Sequence, residues 1–453
     1  MRFAQAFDLV PGDVVAFVGA GGKTSLMVSL GYELAEAGWR VLATTTTQLA
    51  KDQLALFPYA LPADASARAI SQALSEKQFV LLHDEISGGN VYGPAPEWTR
   101  QMLDSVDSDI LLVEADNARG LPFKAPLAGE PRIPPETSLV IAVASLNALG
   151  KPLDNDHIYN PRAMIEKYGF VENSPVKSPW LAQVLRDEDL GLRGVPQEAR
   201  VLIFLNQTPE RGYVRGRARM IARLSLQSER ISAVALGSVR GAEPVFELQR
   251  SVGALVLAAG DASCRNLDAL LQTADGGGCA LANVTEQLMR SRIDHIRLVT
   301  GKGTRDVRKA VKHLGVKTVQ NRAWKSGGLV SSLKTGLGSL PAHVAAVLML
   351  PCQQTRIQSK LIYQILSTYA RGDGDFIVPR LRSQCSQPIL IARKYWAEML
   401  KLTRHCDLRE IISHFETHVT YLNVDANGIF QDGDVANEQN HRRWPAGVKD
   451  HGP

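Results

Sequence analysis

The segment Gly19-Ala20-Gly21-Gly22-Lys23-Thr24 combines the residue types that bind phosphate. An apolar run, Val14-Val15-Ala16-Phe17-Val18, leads into it, and Lys23-Thr24 opens an amphipathic stretch. A buried strand, a glycine turn and a helix N-terminus together offer inward-facing amides and partial positive charge to an anion. In that arrangement Gly19, Gly21 and Gly22 shape the cradle, and Lys23 reaches the β- and γ-phosphates. Thr24 ligates Mg²⁺, and Ser25 follows in the same first turn. The spacing departs from Gly-x-x-x-x-Gly-Lys-Ser/Thr, because Phe17 stands where the first glycine belongs. A glycine-rich strand–helix turn of a Rossmann-like fold is the competing reading. Packing gives no reason, however, for Lys-Thr directly after Gly-Gly.

Ligands of open α/β sheets lie beyond the carboxyl ends of the strands. The run Arg40–Thr44 leads into four threonines, of which Thr45 and Thr46 are candidates for contact with Mg²⁺ or the γ-phosphate. A polar turn is the alternative. The run Ile110–Val113 delivers two candidate catalytic carboxylates, Glu114 and Asp116. Asp116 is the first choice to hold magnesium with Thr24 and to orient water, with Glu114 second; helix capping is the alternative for Asp116. Asn206 closes another apolar run as Asn206-Gln207-Thr208-Pro209, and is a candidate nucleotide contact. Base-reading proteins carry Asn-Lys-x-Asp at such a position. Pro209 in place of the Asp removes support for guanine specificity.

Elements that would position these groups follow from apolar runs alternating with helical periodicity. In the first half, Asp13–Gly19, Arg40–Thr44, Phe79–His83, Ile110–Asp116, Leu139–Ala144 and Val201–Asn206 read as strands, and Lys23–Ala37 as a helix. Continuous apolar strands separated by helices predict an α/β fold with a parallel sheet covered on both faces. Residues 1–240 form the expected phosphate-loop domain, and 241–251, with Gly241 and Pro244, the expected linker. The alternation restarts with Ala254–Ala259, Ile296–Thr300, Ala345–Leu350 and Phe376–Pro379, with helices at Thr304–Leu314 and Gln358–Ala370. Residues 252–432 therefore read as a second, Rossmann-like α/β domain, and the polar 433–453 as a disordered tail.

Composition is that of a folded protein, with 45% hydrophobic and 21% charged residues in 453. No run is long and apolar enough for a signal peptide or membrane span, so a cytoplasmic, membrane-free protein is expected. Five cysteines without Cys-x-x-Cys spacing suggest neither disulfides nor zinc. The net charge of +5 is uneven, with roughly −4 in the first 250 residues and roughly +9 beyond. No Lys/Arg run interleaved with aromatics points to nucleic acid. Arg215, Arg219 and Arg223 share one helical face, which reads as solvated.

Across residues 8 to 235 the sequence resembles the YqeC family, accessory proteins for selenium-dependent molybdenum hydroxylases. The carrying segments are Val18–Thr24, Leu42–Thr47, Leu112–Asp116, Lys124-Ala125-Pro126 with Glu130-Pro131-Arg132-Ile133-Pro134, and Leu149–Leu153. Asn117 replaces a glycine usual after the Asp, and Ile158–Pro161 departs from a His-Arg-Pro stretch. The resemblance implies a phosphate-loop domain working on maturation or insertion of a molybdenum or selenium cofactor. Its implied partners are a molybdenum hydroxylase client or cofactor-synthesis proteins. Lys124 and Glu130 lie in a proline-rich loop that would cover the nucleotide, or form a surface ion pair.

From Val252 to Asp432 the sequence resembles the MobA-like nucleotidyltransferases, which include molybdenum cofactor cytidylyltransferase. Leu255–Gly260 matches the opening strand and loop, and Asn321–Gly328 with Ser331-Ser332-Leu333 matches the base-recognition segment. The resemblance implies ligand contacts from Gly260, Arg265, Asn321, Trp324, Ser331 and Ser332. Such a transferase needs a carboxylate for Mg²⁺ at the end of its central strand, and here Cys352 takes that place. Mg²⁺ prefers hard oxygen ligands. The expectation is a transferase fold without transferase catalysis, joined to a domain that binds and hydrolyses ATP or GTP with Mg²⁺. A molybdopterin-type cofactor is a candidate second ligand. An active cytidylyltransferase with a regulatory phosphate-loop domain, and a non-catalytic nucleotide-sensing scaffold, are the alternatives.

Overall fold

The computed structural model describes residues 1–259, 271, 279–291, 293–351, 357–381, 384–402 and 408–424. The chain divides into two compact units, Met1–Arg250 and Ser251–Pro453.

In the first unit a nine-stranded sheet carries the chain. Its members are β1 (Val14–Gly19), β2 (Val41–Thr45), β3 (Ala60–Pro62), β4 (Phe79–His83), β5 (Ile110–Glu114), β6 (Leu139–Ser145), β7 (Arg200–Asn206), β8 (Ile231–Gly237) and β9 (Val245–Arg250). Their order is β9-β8-β7-β6-β1-β5-β2-β4-β3. All neighbours are parallel except β8 and β9. The expected parallel sheet is therefore present, and β1 sits at its centre between the strands ending in Glu114 and Ser145. The strands are apolar on both sides because both faces are covered. Phe17, Leu112 and Ile141 pack toward the helix Lys23–Glu36, whereas Val18, Val113 and Ala142 pack into the opposite layer with Phe123, Leu181 and Leu185.

Two expectations are corrected here. The stretch 241–251, expected as a linker, contains β9, whose ladder to β8 runs from Val245 to Arg250. Its alternation is irregular and its turn carries Gly241 and Pro244, which masks the strand. The face bearing Arg215 and Arg219 is not simply solvated. Both guanidiniums bind Glu247 of β9, whose side chain is almost fully buried. They hold its carboxyl below the usual range against the opposing effect of burial.

Past the ends of β2 and β4, a small three-stranded sheet is formed by Gln48–Ala50, Ile86–Ser87 and Asn90–Tyr92. It is seated by Gly93, where a Cβ atom would lie 1.4 Å from the carbonyl oxygen of Thr45. Only glycine allows that approach.

The second unit is built on an eight-stranded sheet. It contains β10 (Val252–Ala258), β11 (His295–Thr300), β12 (Lys317–Gln320), β13 (Ala346–Pro351), β14 (Phe376–Leu381), β15 (Gln384–Cys385), β16 (Ile389–Ala392) and β17 (Val419–Asn423). The order is β12-β11-β10-β13-β16-β14-β15, with β17 on β14. Strands β12 to β13 are parallel, as expected, while β16 enters antiparallel between β13 and β14. Among the described residues no helix is long and apolar enough to cross a membrane. The tail 433–453, Gly260, Arg265 and Cys352 lie outside the described residues.

Candidate functional site

The loop after β1 turns on three glycines with positive φ, at 87° for Gly19, 84° for Gly21 and 122° for Gly22. Side chains there would strike backbone or a buried amide. A Cβ on Gly19 would lie 2.3 Å from the Val143 carbonyl oxygen, and one on Gly22 would lie 2.4 Å from Asn206 Nδ2. The helix Lys23–Glu36 starts directly after Gly22, so its first amides have no intrahelical acceptor. The Gly19 and Ala20 amides are already used, by Asp116 Oδ2 at 2.9 Å and Val143 O at 2.8 Å. The amides from Gly21 onward form the part of the turn suited to an anion.

Lys23 is buried, with its ammonium 2.9 Å from Gly19 O and 3.7 Å from Glu114 Oε1. Thr24 donates its hydroxyl to Glu114 Oε2 at 2.7 Å. Ser25 is exposed on the same turn. Register explains the meeting, since Glu114 is the last residue of β5 and lies opposite Phe17 of β1 and Thr45 of β2. Burial pushes the Glu114 carboxyl above its ordinary range, opposed by the Lys23 ammonium and the Thr24 hydroxyl. The expected pairing of Thr24 with Asp116 is therefore not what the fold brings together. It is Glu114 that meets Thr24.

Asp116 faces a different set of partners. Besides the Gly19 amide it binds Lys124, whose ammonium also reaches Asn117 O at 2.6 Å and Glu130 Oε2 at 2.8 Å. The Tyr159 ring lies over the same ammonium, 4.6 Å away. Lys124 and Asp116 are almost fully buried, so this is an internal charge cluster and not the surface ion pair. Burial pushes the Asp116 carboxyl up, while Lys124, Lys23 and the Gly19 amide pull it down. A cavity beside this cluster is lined by Phe123, Pro126, Pro131, Val184 and Leu190 together with Gly19 and Ala20.

The remaining candidates act as braces. Thr45 and Thr46 are buried and donate their hydroxyls to Glu114 O at 2.9 Å and Arg132 O at 2.6 Å, and Thr44 donates to Leu82 O. Asn206 donates to Gly21 O at 2.8 Å and accepts from the amides of Gln207 and Val239. Residue types did not reveal that Asn206 supports the loop, because β7 lies two places from β1 in the sheet. The only available signal was its position at the end of a buried strand.

In the second unit the segment after β12 closes on itself. Asn321 donates to Ser331 Oγ at 2.8 Å and Ser332 Oγ at 3.1 Å, and accepts from the Ala323 amide. Trp324 packs against Gly301 at the end of β11, where a Cβ would lie 2.7 Å from its ring. Four of the six residues expected there are thus gathered at the carboxyl ends of β11 and β12.

Comparison with known proteins gives these two sites their setting. Residues 15–162 match the family described as YqeC protein, and residues 254–419 match the MobA-like NTP transferase domain. Each of the two regions therefore resembles a known family over part of the chain. The uncharacterized protein YqeC of Escherichia coli is 28% identical over 227 residues, which span 50% of this chain and 88% of that protein. Among solved structures, a Mycobacterium tuberculosis protein in complex with manganese is 19% identical, with a TM-score of 0.34, covering 39% of this chain and 89% of its own. A nucleotidyl transferase from Methanothermobacter is 18% identical with a TM-score of 0.32, covering 39% of this chain and 88% of its own. The YqeC match includes the glycine loop, Glu114, Asp116, Lys124 and Glu130, and the transferase match includes Asn321, Trp324, Ser331 and Ser332.

Proposed function

We propose that the YqeC-type domain binds a magnesium nucleoside triphosphate, ATP or GTP, at Gly21–Thr24, hydrolyses it, and thereby serves maturation or insertion of a molybdenum or selenium cofactor. One observation carries this reading, namely the convergence of Lys23, Thr24 and Glu114 at the N-terminus of the helix that follows the glycine turn. Packing alone would not put a lysine, a hydroxyl and a carboxylate together in an almost dry site, where each pays for desolvation.

Hydroxyl and carboxylate are hard oxygen donors and suit Mg²⁺. The described residues contain no group of three His, Cys, Asp or Glu able to hold an ion unaided, which fits a metal that arrives with the nucleotide and keeps water ligands. Thr24 and Glu114 would hold it, and it would neutralise charge on the β- and γ-phosphates. Lys23 must leave the Gly19 carbonyl to reach the phosphates. Asp116 keeps the turn in shape through the Gly19 amide and ties it to Lys124 and Glu130.

The second unit is read as a nucleotidyltransferase fold that has kept ligand binding at Asn321, Trp324, Ser331 and Ser332 without transfer, because a thiol replaces the metal carboxylate at position 352. A molybdopterin-type ligand and a hydroxylase client are the partners this reading supports. Titration calorimetry with MgATP and MgGTP tests the first domain, with binding expected for the wild type and none for Lys23→Met. Equal affinity in the variant would end the proposal. Transfer of CMP to a molybdopterin acceptor at an ordinary enzymatic rate would refute the reading of the second unit.

A further inference from the structure

The phosphate turn by itself leaves the base unassigned, and the strand ends on its other side from Glu114 bear on that question. Strands β6 and β7 lie on the side of β1 away from β5, and the ends of both touch the turn. A Cβ on Gly21 would lie 2.4 Å from Ser145 Cβ at the end of β6, and one on Gly22 would lie 2.4 Å from Asn206 Nδ2 at the end of β7. In the reading above, Thr24 and Glu114 hold the metal, and with it the β- and γ-phosphates, on the β5 side. A triphosphate spanning the turn then carries its α-phosphate and nucleoside over the ends of β6 and β7.

Two carboxamides stand there, tied to one buried hydroxyl. Ser145 Oγ accepts from the Asn147 amide at 3.0 Å and donates to Gln207 Oε1. Asn147 lies on the single 3-10 turn Leu146–Ala148 that follows β6. Gln207 follows Asn206 with a φ of 59°, uncommon for a residue other than glycine. The neighbouring polar groups are committed to the fold. Asn206 Oδ1 takes the amides of Gln207 and Val239 while its Nδ2 serves Gly21 O, and Thr208 gives its hydroxyl to Leu205 O at 2.7 Å. The side chains of Asn147 and Gln207 are exposed, and among the described residues Gln207 Nε2 and the whole Asn147 carboxamide have no hydrogen-bond partner.

A free carboxamide matches its oxygen and N–H to an adjacent donor and acceptor, which is the pattern of adenine N6 and N7. Asn147 offers that pair, and Gln207 Nε2 adds a donor for a further ring nitrogen. Guanine presents two neighbouring N–H groups on its pairing edge and calls for a carboxylate, and residues 145–147, 206–209 and 237–239 contain none. Resting on the phosphate-loop reading above, we infer that Asn147 and Gln207 read the base edge and that the nucleotide is an adenine nucleotide.

The experiment is titration calorimetry of the full chain with MgATP, MgGTP and magnesium tripolyphosphate, on the wild type and on Lys23→Met, Asn147→Leu and Gln207→Leu. ATP should bind at least about tenfold more tightly than GTP. Each amide variant should weaken ATP roughly three- to tenfold and leave GTP and tripolyphosphate unchanged. Tripolyphosphate reports an intact turn, so its loss in either amide variant would show a merely structural role and overturn the inference. Equal affinity for the two purines, a preference for GTP, or unchanged ATP binding in both amide variants would overturn it as well. Tripolyphosphate binding that disappears in Lys23→Met would leave the phosphate-loop reading standing in each of those cases. Failure of all three ligands to bind the wild type would sink both.

Discussion

The two strand-end sites of this chain are built from opposite materials. In the first unit, Lys23, Glu114, Asp116 and Lys124 place four ionisable groups in nearly dry surroundings around one glycine turn. In the transferase-like domain the corresponding region is held by Asn321, Ser331 and Ser332, which are neutral. Buried charges cost several kcal/mol each unless paired, and they add little stability even when paired. The proposed nucleotide gives a reason for keeping four of them beside one glycine turn. A neutral amide–hydroxyl network is cheaper to bury and positions a loop without demanding a counterion. If the proposal holds, charge-dependent chemistry belongs to the first unit, and variants of each site test this.

The largest effect is expected from Lys124→Ala, which leaves Asp116 and Glu130 without their ammonium. Removing one partner of a buried ion pair costs about 3–5 kcal/mol, so denaturant unfolding of the first unit should shift by that amount while the second unit is unaffected. Gly93→Ala comes next. Its Cβ would meet the Thr45 carbonyl at 1.4 Å, with backbone on both sides unable to yield, and a loss of about 3 kcal/mol is expected. The counterpart in the second unit, Gly301→Ala, meets a Trp324 side chain that can shift, and should cost only about 1–2 kcal/mol. Asn321→Ala should cost a similar 1–2 kcal/mol by taking the amide partner from the Ser332 hydroxyl and the Ala323 amide. If Asn321→Ala unfolds its unit as readily as Lys124→Ala unfolds the other, the distinction between charged and neutral sites is wrong.

Much of this is legible in the sequence. Six strands of the first sheet and the helix after Lys23 follow from continuous apolar runs, which a parallel sheet buried on both faces requires. The glycine turn was legible because Lys-Thr after Gly-Gly has no packing purpose. Strand β9 was not, because its Arg–Glu pairing to the helix above gives a polar pattern that reads as a linker. The choice between Glu114 and Asp116 was also beyond the sequence. The two residues lie two apart, and which one meets Thr24 depends on β5 ending at Glu114 in register with Phe17. Long-range register of this kind leaves no trace in local residue types, and neither does the reach of Asn206 across β6 to Gly21.

The smallest predicted effect sharpens the comparison most. Glu114 has its carboxyl raised by burial, so the folded chain binds this proton more tightly than the unfolded chain does. The stability it contributes is greatest below the ordinary carboxylate range and declines as pH rises through the raised value, with a slope for one group of at most about 1.4 kcal/mol per pH unit. Carboxylates with lowered values, such as Asp109 and Glu247, push the overall profile the other way, so the profile of the wild type alone does not isolate Glu114. The difference between wild type and Glu114→Gln does, since glutamine imitates the protonated form at every pH. That difference should move in favour of the variant as pH rises from about 4 toward neutrality, while Mg²⁺-dependent nucleotide binding is lost in the variant throughout. A difference that stays flat, measured by denaturant unfolding at each pH, would mean that Lys23 and Thr24 compensate fully for burial. The first domain would then store no electrostatic cost for its ligand to relieve, and the contrast with the neutral network around Asn321 would carry no functional meaning.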